Sequence, residues 1–165
     1  MTWRGEVTVL NRILASLPYL LPIMDSYLFF SRPFFAEFPE LEVIFLPLTP
    51  LLVVYTSILR FIPLIGGLLI FVLLFALVVR NESINHFIRF NTSQSIIIGI
   101  AMSLVSIIWQ YVLDPVLGGG FITSVIFNVV FLGTLAACIY SMVLSWMGRY
   151  AEIPTLSDAA YAQVR

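Results

Sequence analysis

Few side chains in this sequence of 165 residues are equipped for chemistry. His86 is the one histidine and Cys138 the one cysteine. A lone imidazole with no cysteine or carboxylate cluster nearby makes a poor metal site, and a single cysteine excludes an intramolecular disulfide. All eight basic residues are arginine, so no lysine is present to form a Schiff base or to act as a phosphate-loop ligand. Serines are plentiful, yet none lies in a G-x-S-x-G elbow and only one histidine is available as their base. A protease built from aspartates needs two of them on facing helices, whereas Asp25 follows Pro22 closely and Asp114 directly precedes Pro115. The sequence therefore predicts no catalytic, metal or cofactor site. With a formal charge of −1 it also carries no basic footprint for nucleic acid.

The remaining polar residues matter because of where they lie. Apolar residues make up 61% of the chain and charged residues 10%, against about 45–50% and 25% in a soluble domain. The mean hydropathy is +1.04, which points to a single domain folded in lipid. Polar groups at membrane depth face a bundle interior or a water-filled path, and Asn128 and Gln110 are the candidates for an interhelical hydrogen bond or such a path. Small residues recur every four positions at Gly133, Ala137, Ser141 and Ser145, and again at Ser95, Gly99 and Ser103. Such ridges let helix backbones approach closely in lipid; a pore or substrate groove lined by the same serines is the alternative. Arg80, Arg89 and Arg149 fall near expected span ends, where guanidinium groups reach the headgroups or present a docking face to a partner.

The elements that must position these residues follow from length. Crossing the hydrocarbon takes about 20 mostly apolar residues, and the stretches 43–59, 63–79, 96–113 and 121–147 approach or exceed this. Residues 13–30 are apolar as well, but Pro18 and Pro22 each remove a backbone donor that lipid cannot replace. Asp25 at mid-depth would add about 2.5–3.5 kcal/mol. The expectation is an all-α polytopic membrane protein with four transmembrane helices, a Pro-broken interfacial segment over 11–42, and a tail over 148–165. The stretch 31–42 interleaves phenylalanines with Glu37, Glu40 and Glu42 and suits the headgroup layer. Residues 81–95 read as the most polar internal loop and 114–120 as a breaker cluster. Asn81 and Asn91 each head a glycosylation acceptor pattern, which this topology keeps on the untranslocated side.

Arginine placement separates the four-span reading from a five-span one. Cytoplasmic loops are enriched in basic residues. Five crossings would divide the arginines three to five, whereas an interfacial first segment puts all but Arg60 on one face and both termini on the cytoplasmic side. No cleavable leader is expected, since the first apolar stretch lacks a small-residue cleavage pattern. In the tail, Thr155 and Asp158 have capping-box spacing and predict a short helix after Pro154.

Several pieces of the chain together resemble a known family. These are Leu17-Pro18-Tyr19-Leu20-Leu21-Pro22, Val79-Arg80-Asn81 with His86-Phe87-Ile88-Arg89-Phe90-Asn91 and Gln94, Val130-Phe131-Leu132-Gly133, and Gly148-Arg149-Tyr150-Ala151-Glu152-Ile153-Pro154 with Ser157-Asp158-Ala159-Ala160. In this order and spacing they resemble the twenty-kilodalton subunit of the translocon at the chloroplast inner envelope and its cyanobacterial and plastid-encoded relatives. Ser93 stands where the family often has Met. The resemblance implies four membrane helices with both ends on the stromal or cytoplasmic side. It also implies a non-enzymatic subunit of a preprotein-import complex with a proposed share in its channel, and it supplies no catalytic residues. Expected partners are membrane lipids, other membrane subunits in a hetero-oligomer, and translocating polypeptides. Expected locations are a cyanobacterial plasma or thylakoid membrane or the plastid inner envelope. The alternative is a structural or assembly subunit of a larger photosynthetic membrane complex. A small-solute transporter or membrane enzyme is disfavoured by the absence of paired ionisable groups.

Overall fold

The structure, a computed structural model, describes residues 7–61 and 66–164. Arg4, Arg165 and the start of the 63–79 stretch lie outside them. Among the described residues every regular element is helical. They are α1 (Val9–Phe30), α2 (Arg32–Glu37), α3 (Pro39–Phe61), α4 (Gly66–Val79), α5 (His86–Leu117), α6 (Phe121–Trp146) and α7 (Leu156–Gln163). The protein is all-α, and four of these helices, α1, α3, α5 and α6, are long and apolar enough to cross a membrane.

The number of long apolar helices matches the expectation, but their identity differs. The segment expected to lie in the interface forms α1, while α4 is the shorter apolar helix. Pro18 and Pro22 do not break α1, because the chain tightens into a 3-10 turn over Leu17–Tyr19 and the Leu20 N–H donates to the Leu17 and Pro18 carbonyls. A proline near the start of such a turn has no donor to lose there. Thr8 caps the helix, its hydroxyl accepting from the Asn11 N–H at 3.3 Å. The prolines are also offset by packing. Ala15, Tyr19, Ile23, Met24 and Phe30 are all buried, and α1 is the most enclosed of the four long helices.

Contacts along its length show which way α1 runs. Arg12 at its start donates to the Trp146 carbonyl at the end of α6, at 3.4 Å, and Phe30 at its end meets Phe127 near the start of α6, with ring centroids 5.2 Å apart. The two helices are therefore antiparallel over nearly their whole length. From the Phe30 end the chain passes through α2 and into α3. Tyr27 hydrogen-bonds Glu42 at 2.8 Å, Tyr55 bonds Asp25 at 2.5 Å, and Leu59 shares an apolar cluster with Leu21, near the middle of α1. By Gly66 the chain has turned back against Ile58 and Leu59, so closely that a Cβ there would stand 3.1 Å from the Ile58 carbonyl oxygen and the Leu59 Cα. Glycine makes this approach without strain, whereas a side chain would push the α3 backbone away by a few tenths of an ångström. Helix α4 then reaches the start of α5, where Arg89 Nε donates to the Val79 carbonyl at 2.9 Å. His86 and Tyr150, 3.0 Å apart, place the beginning of α5 beside the end of α6.

This path redistributes the arginines. Arg12, Arg80, Arg89 and Arg149 lie at one end of the bundle, and Arg32 lies at the other. Arg60 follows Leu59, which packs with Leu21 near the middle of α1. Cysteine labelling from either side of a sealed membrane, in a Cys138→Ala background, tests this arrangement. Exposed positions Glu40 and Glu82, each replaced by cysteine, are expected to react from opposite sides. Reaction from the same side would return the first segment to the surface.

The expected short helix in the tail is present as α7, but its start differs from the capping box. Thr155 adopts a φ of 68° and makes no side-chain cap. Ser157 closes the turn, its hydroxyl accepting from the Ile153 N–H at 2.7 Å. Gly148, at φ 73°, passes so near Arg12 that a Cβ would stand 3.0 Å from Nε, which lets the guanidinium lie over the carbonyl end of α6.

Candidate functional site

The densest polar feature was not anticipated. Residues 86–95, expected in a loop, are the first turns of α5, capped by Asn85, whose side chain accepts from the Phe87 N–H at 2.8 Å. From Arg89 to Ser95 every residue is buried. Asn91 is fully enclosed. Its Oδ1 accepts from the Tyr19 hydroxyl at 3.0 Å and from the Ser145 hydroxyl at 2.9 Å, and its Nδ2 donates to the Phe87 carbonyl at 2.8 Å. One turn further along, Gln94 Nε2 faces the Ser141 hydroxyl at 3.4 Å. Asn91 thus ties α1, α5 and α6 together. The spacing 91, 94 and 95 on one helix against 141 and 145 on another was the available signal: each set falls on one helical face.

The seam is not wholly satisfied, for Gln94 Oε1 and Thr92 Oγ1 are buried without a hydrogen-bond partner. The tail covers its outer side, where Ser93 donates to Gln163 Oε1 at 3.0 Å and Phe90 packs against Tyr161 in a tilted pair with centroids 4.5 Å apart. In lipid, interhelical hydrogen bonds average about 0.6 kcal/mol and reach about 1.7. The seam therefore fixes register more than it supplies bulk stability.

The residues singled out by spacing fall in several places. Ser141 and Ser145 are buried in the seam, and the one proton of the Ser145 hydroxyl is shared between Asn91 Oδ1 and the Ser141 carbonyl, 2.8 Å away. Farther along the same ridge Ala137 is half-buried and Gly133 is exposed. Ser95 is buried, while Ser95, Gly99 and Ser103 line a cavity. Asn128 Oδ1 is enclosed without a partner, Gln110 is exposed, and no hydrogen bond joins them. Arg89 is buried against Val79, whereas Arg80 and Arg149 are exposed.

That cavity, of about 600 Å³, opens between α1, α3, α4 and α5. It lies midway along α5, with Gly99 and Ser103 on one wall and Leu68 on another. A Cβ at Gly99 would meet nothing within 4 Å, so the small side chain there leaves space instead of drawing a helix close. Asp25, bonded to Tyr55, is the one charged group among the described residues that line it. Among the described residues no set of three His, Cys, Asp or Glu side chains is arranged to hold a metal ion.

The sequence matches the family model described as chloroplast import apparatus Tic20-like over residues 8–160. It is 46% identical over 155 residues to a Tic20 family protein of Synechocystis, covering 94% of this chain and 93% of that protein. It is 31% identical over 159 residues to Protein TIC 20-II, chloroplastic, of Arabidopsis thaliana, covering 93% of this chain and 72% of that protein. A red-algal relative, the Tic20 family protein Ycf60 of Gracilaria tenuistipitata, is 29% identical over 165 residues, with 97% and 78% covered. With a match that runs from the cap of α1 into α7, and so takes in both the seam and the cavity, the chain belongs to the Tic20-like family.

Proposed function

We propose that this protein is a non-enzymatic membrane subunit of a machine that moves or inserts polypeptides, and that it contributes part of one wall to the path. The observation that carries this reading is the match along nearly the whole chain to a family described by the chloroplast import apparatus. A partial wall, and not a complete pore, follows from the interior. Water-filled paths need polar lining, whereas the middle of this bundle is filled by Tyr19, Phe30, Phe35 and Phe131, and the polar seam among the described residues is buried between helices, with Asn91 bonded to Tyr19 and Ser145. Other membrane subunits therefore complete the path, which makes the working form a hetero-oligomer. The cluster Arg12, Arg80, Arg89 and Arg149 at one end of the bundle supports a cytoplasmic or stromal location for that end, in a cyanobacterial or plastid membrane.

Crosslinking in native membranes followed by mass spectrometry tests the reading. Recovery of secretory or import components together with polypeptides in transit is the expected result. Exclusive recovery of pigment–protein complexes would instead support a structural subunit and overturn it.

A further inference from the structure

We propose that the cavity between α1, α3, α4 and α5 is a lateral seat for an apolar segment of a passing polypeptide, with Asp25 receiving a basic side chain of that segment. The inference rests on the translocation reading above and names what the site would hold.

Two observations at the cavity carry it. The first is the carboxylate. Ionisable groups at membrane depth are costly and mark pathways or paired partners. Asp25 has the Tyr55 hydroxyl on Oδ1, and no basic side chain among the described lining residues faces it. One hydroxyl proton serves one of its two oxygens, and a carboxylate accepts on both. An occupant that matches this wall brings a donor or a positive charge on an otherwise apolar body. A lipid acyl chain brings neither.

The second observation is size. A cavity of roughly 150 Å³ holds one benzene-sized group, so about 600 Å³ has room for about four such groups, or one face of a short helical segment.

The test uses the full chain in its native membrane. A photocrosslinking amino acid is placed at Leu68, in the cavity, or at Ile139, exposed on α6. The client is a stalled polypeptide with an apolar stretch of about 20 residues, carrying either Lys or Leu at its centre. Polypeptide adducts at Leu68 are expected to exceed those at Ile139, and the Lys client is expected to exceed the Leu client by roughly fivefold, the scale of a polar contact between membrane helices. Asp25→Asn should abolish the preference for Lys, and Asp25→Glu should retain it. Should Asp25→Asn fail to accumulate, Gly99→Leu fills the cavity from a position with open space around its Cβ, and is expected to lower adducts at Leu68 while leaving protein level unchanged. Adducts with lipid alone at Leu68, or polypeptide adducts at Ile139 but not Leu68, would overturn the seat and leave the translocation reading standing. No polypeptide adduct at any position would overturn both.

Discussion

Replacing Phe131 by alanine is expected to destabilise the folded protein by about 2–4 kcal/mol. Phe131 is fully buried, and its ring meets Phe34, Phe35 and Phe45 with centroids 5.5, 5.6 and 6.0 Å away. In water the cost of such a truncation has a transfer part and a cavity part, about 3–5 kcal/mol together. In lipid the transfer part shrinks, because hydrocarbon is as apolar as the core. What remains is the void, at about 24 cal/mol per Å³, and the aromatic pairs, at about 0.5–1.5 kcal/mol each. The three partner rings belong to α2 and the first turns of α3, so the loss should fall on that corner. Unfolding in mixed micelles, followed by tryptophan fluorescence, gives the free energy. Labelling of a cysteine at Ser31, which is buried at the start of α2, gives the local opening. Stability within about 0.5 kcal/mol of the parent, which is the scatter of neutral surface changes, would show that the aromatic cluster does not hold α2 in place.

The second large effect is expected at Asn91. Asn91→Leu removes the acceptor of both the Tyr19 and Ser145 hydroxyls. Ser145 keeps a partner in the Ser141 carbonyl, whereas the Tyr19 hydroxyl is left enclosed. Two membrane hydrogen bonds of about 0.6–1.7 kcal/mol each and the cost of a buried hydroxyl without its acceptor, about 1–3 kcal/mol, give an expected loss of about 2–6 kcal/mol. Tyr19→Phe alone should cost about 1 kcal/mol, since it removes one bond without stranding a donor. The double variant is the sharper measurement. Because Tyr19→Phe removes the stranded hydroxyl, the pair is expected to lose less than the sum of the single changes. Strict additivity would mean that the two side chains do not bond.

What the sequence disclosed depended on whether a residue's role was set by its immediate neighbours. Helix α6 was legible almost to the residue, 121–147 expected against Phe121–Trp146 observed, because a long apolar run between a triple glycine and Gly148 admits one reading. Helix α1 looks broken in the sequence for a local reason, two prolines and an aspartate, while the features that make it a continuous, enclosed helix are distant: Trp146, Phe127 and Tyr55. The same holds at the start of α5. Asn91, Thr92, Ser93, Gln94 and Ser95 look like a solvated loop when read alone, and Tyr19 of α1, the serines of α6 and the docked tail together make burial affordable there. Among the candidate site residues, Ser141 and Ser145 were recognisable by their four-residue spacing. The reason Ser95, Gly99 and Ser103 are small was not, since a ridge that accepts a helix and a ridge that leaves a hollow have the same spacing.

The seam also has an order in time. Asn91 is bonded to Tyr19, 72 residues earlier, and to Ser145, 54 residues later. Chains are synthesised at about 5–20 residues per second, so Asn91 emerges roughly 3–11 s before Ser145 does. During that interval α1 alone can meet it, and Gln94 has no Ser141 to face. The half-made protein is therefore a species with amide groups open on one flank, and synthesis of the last helix acts as the closing step of assembly.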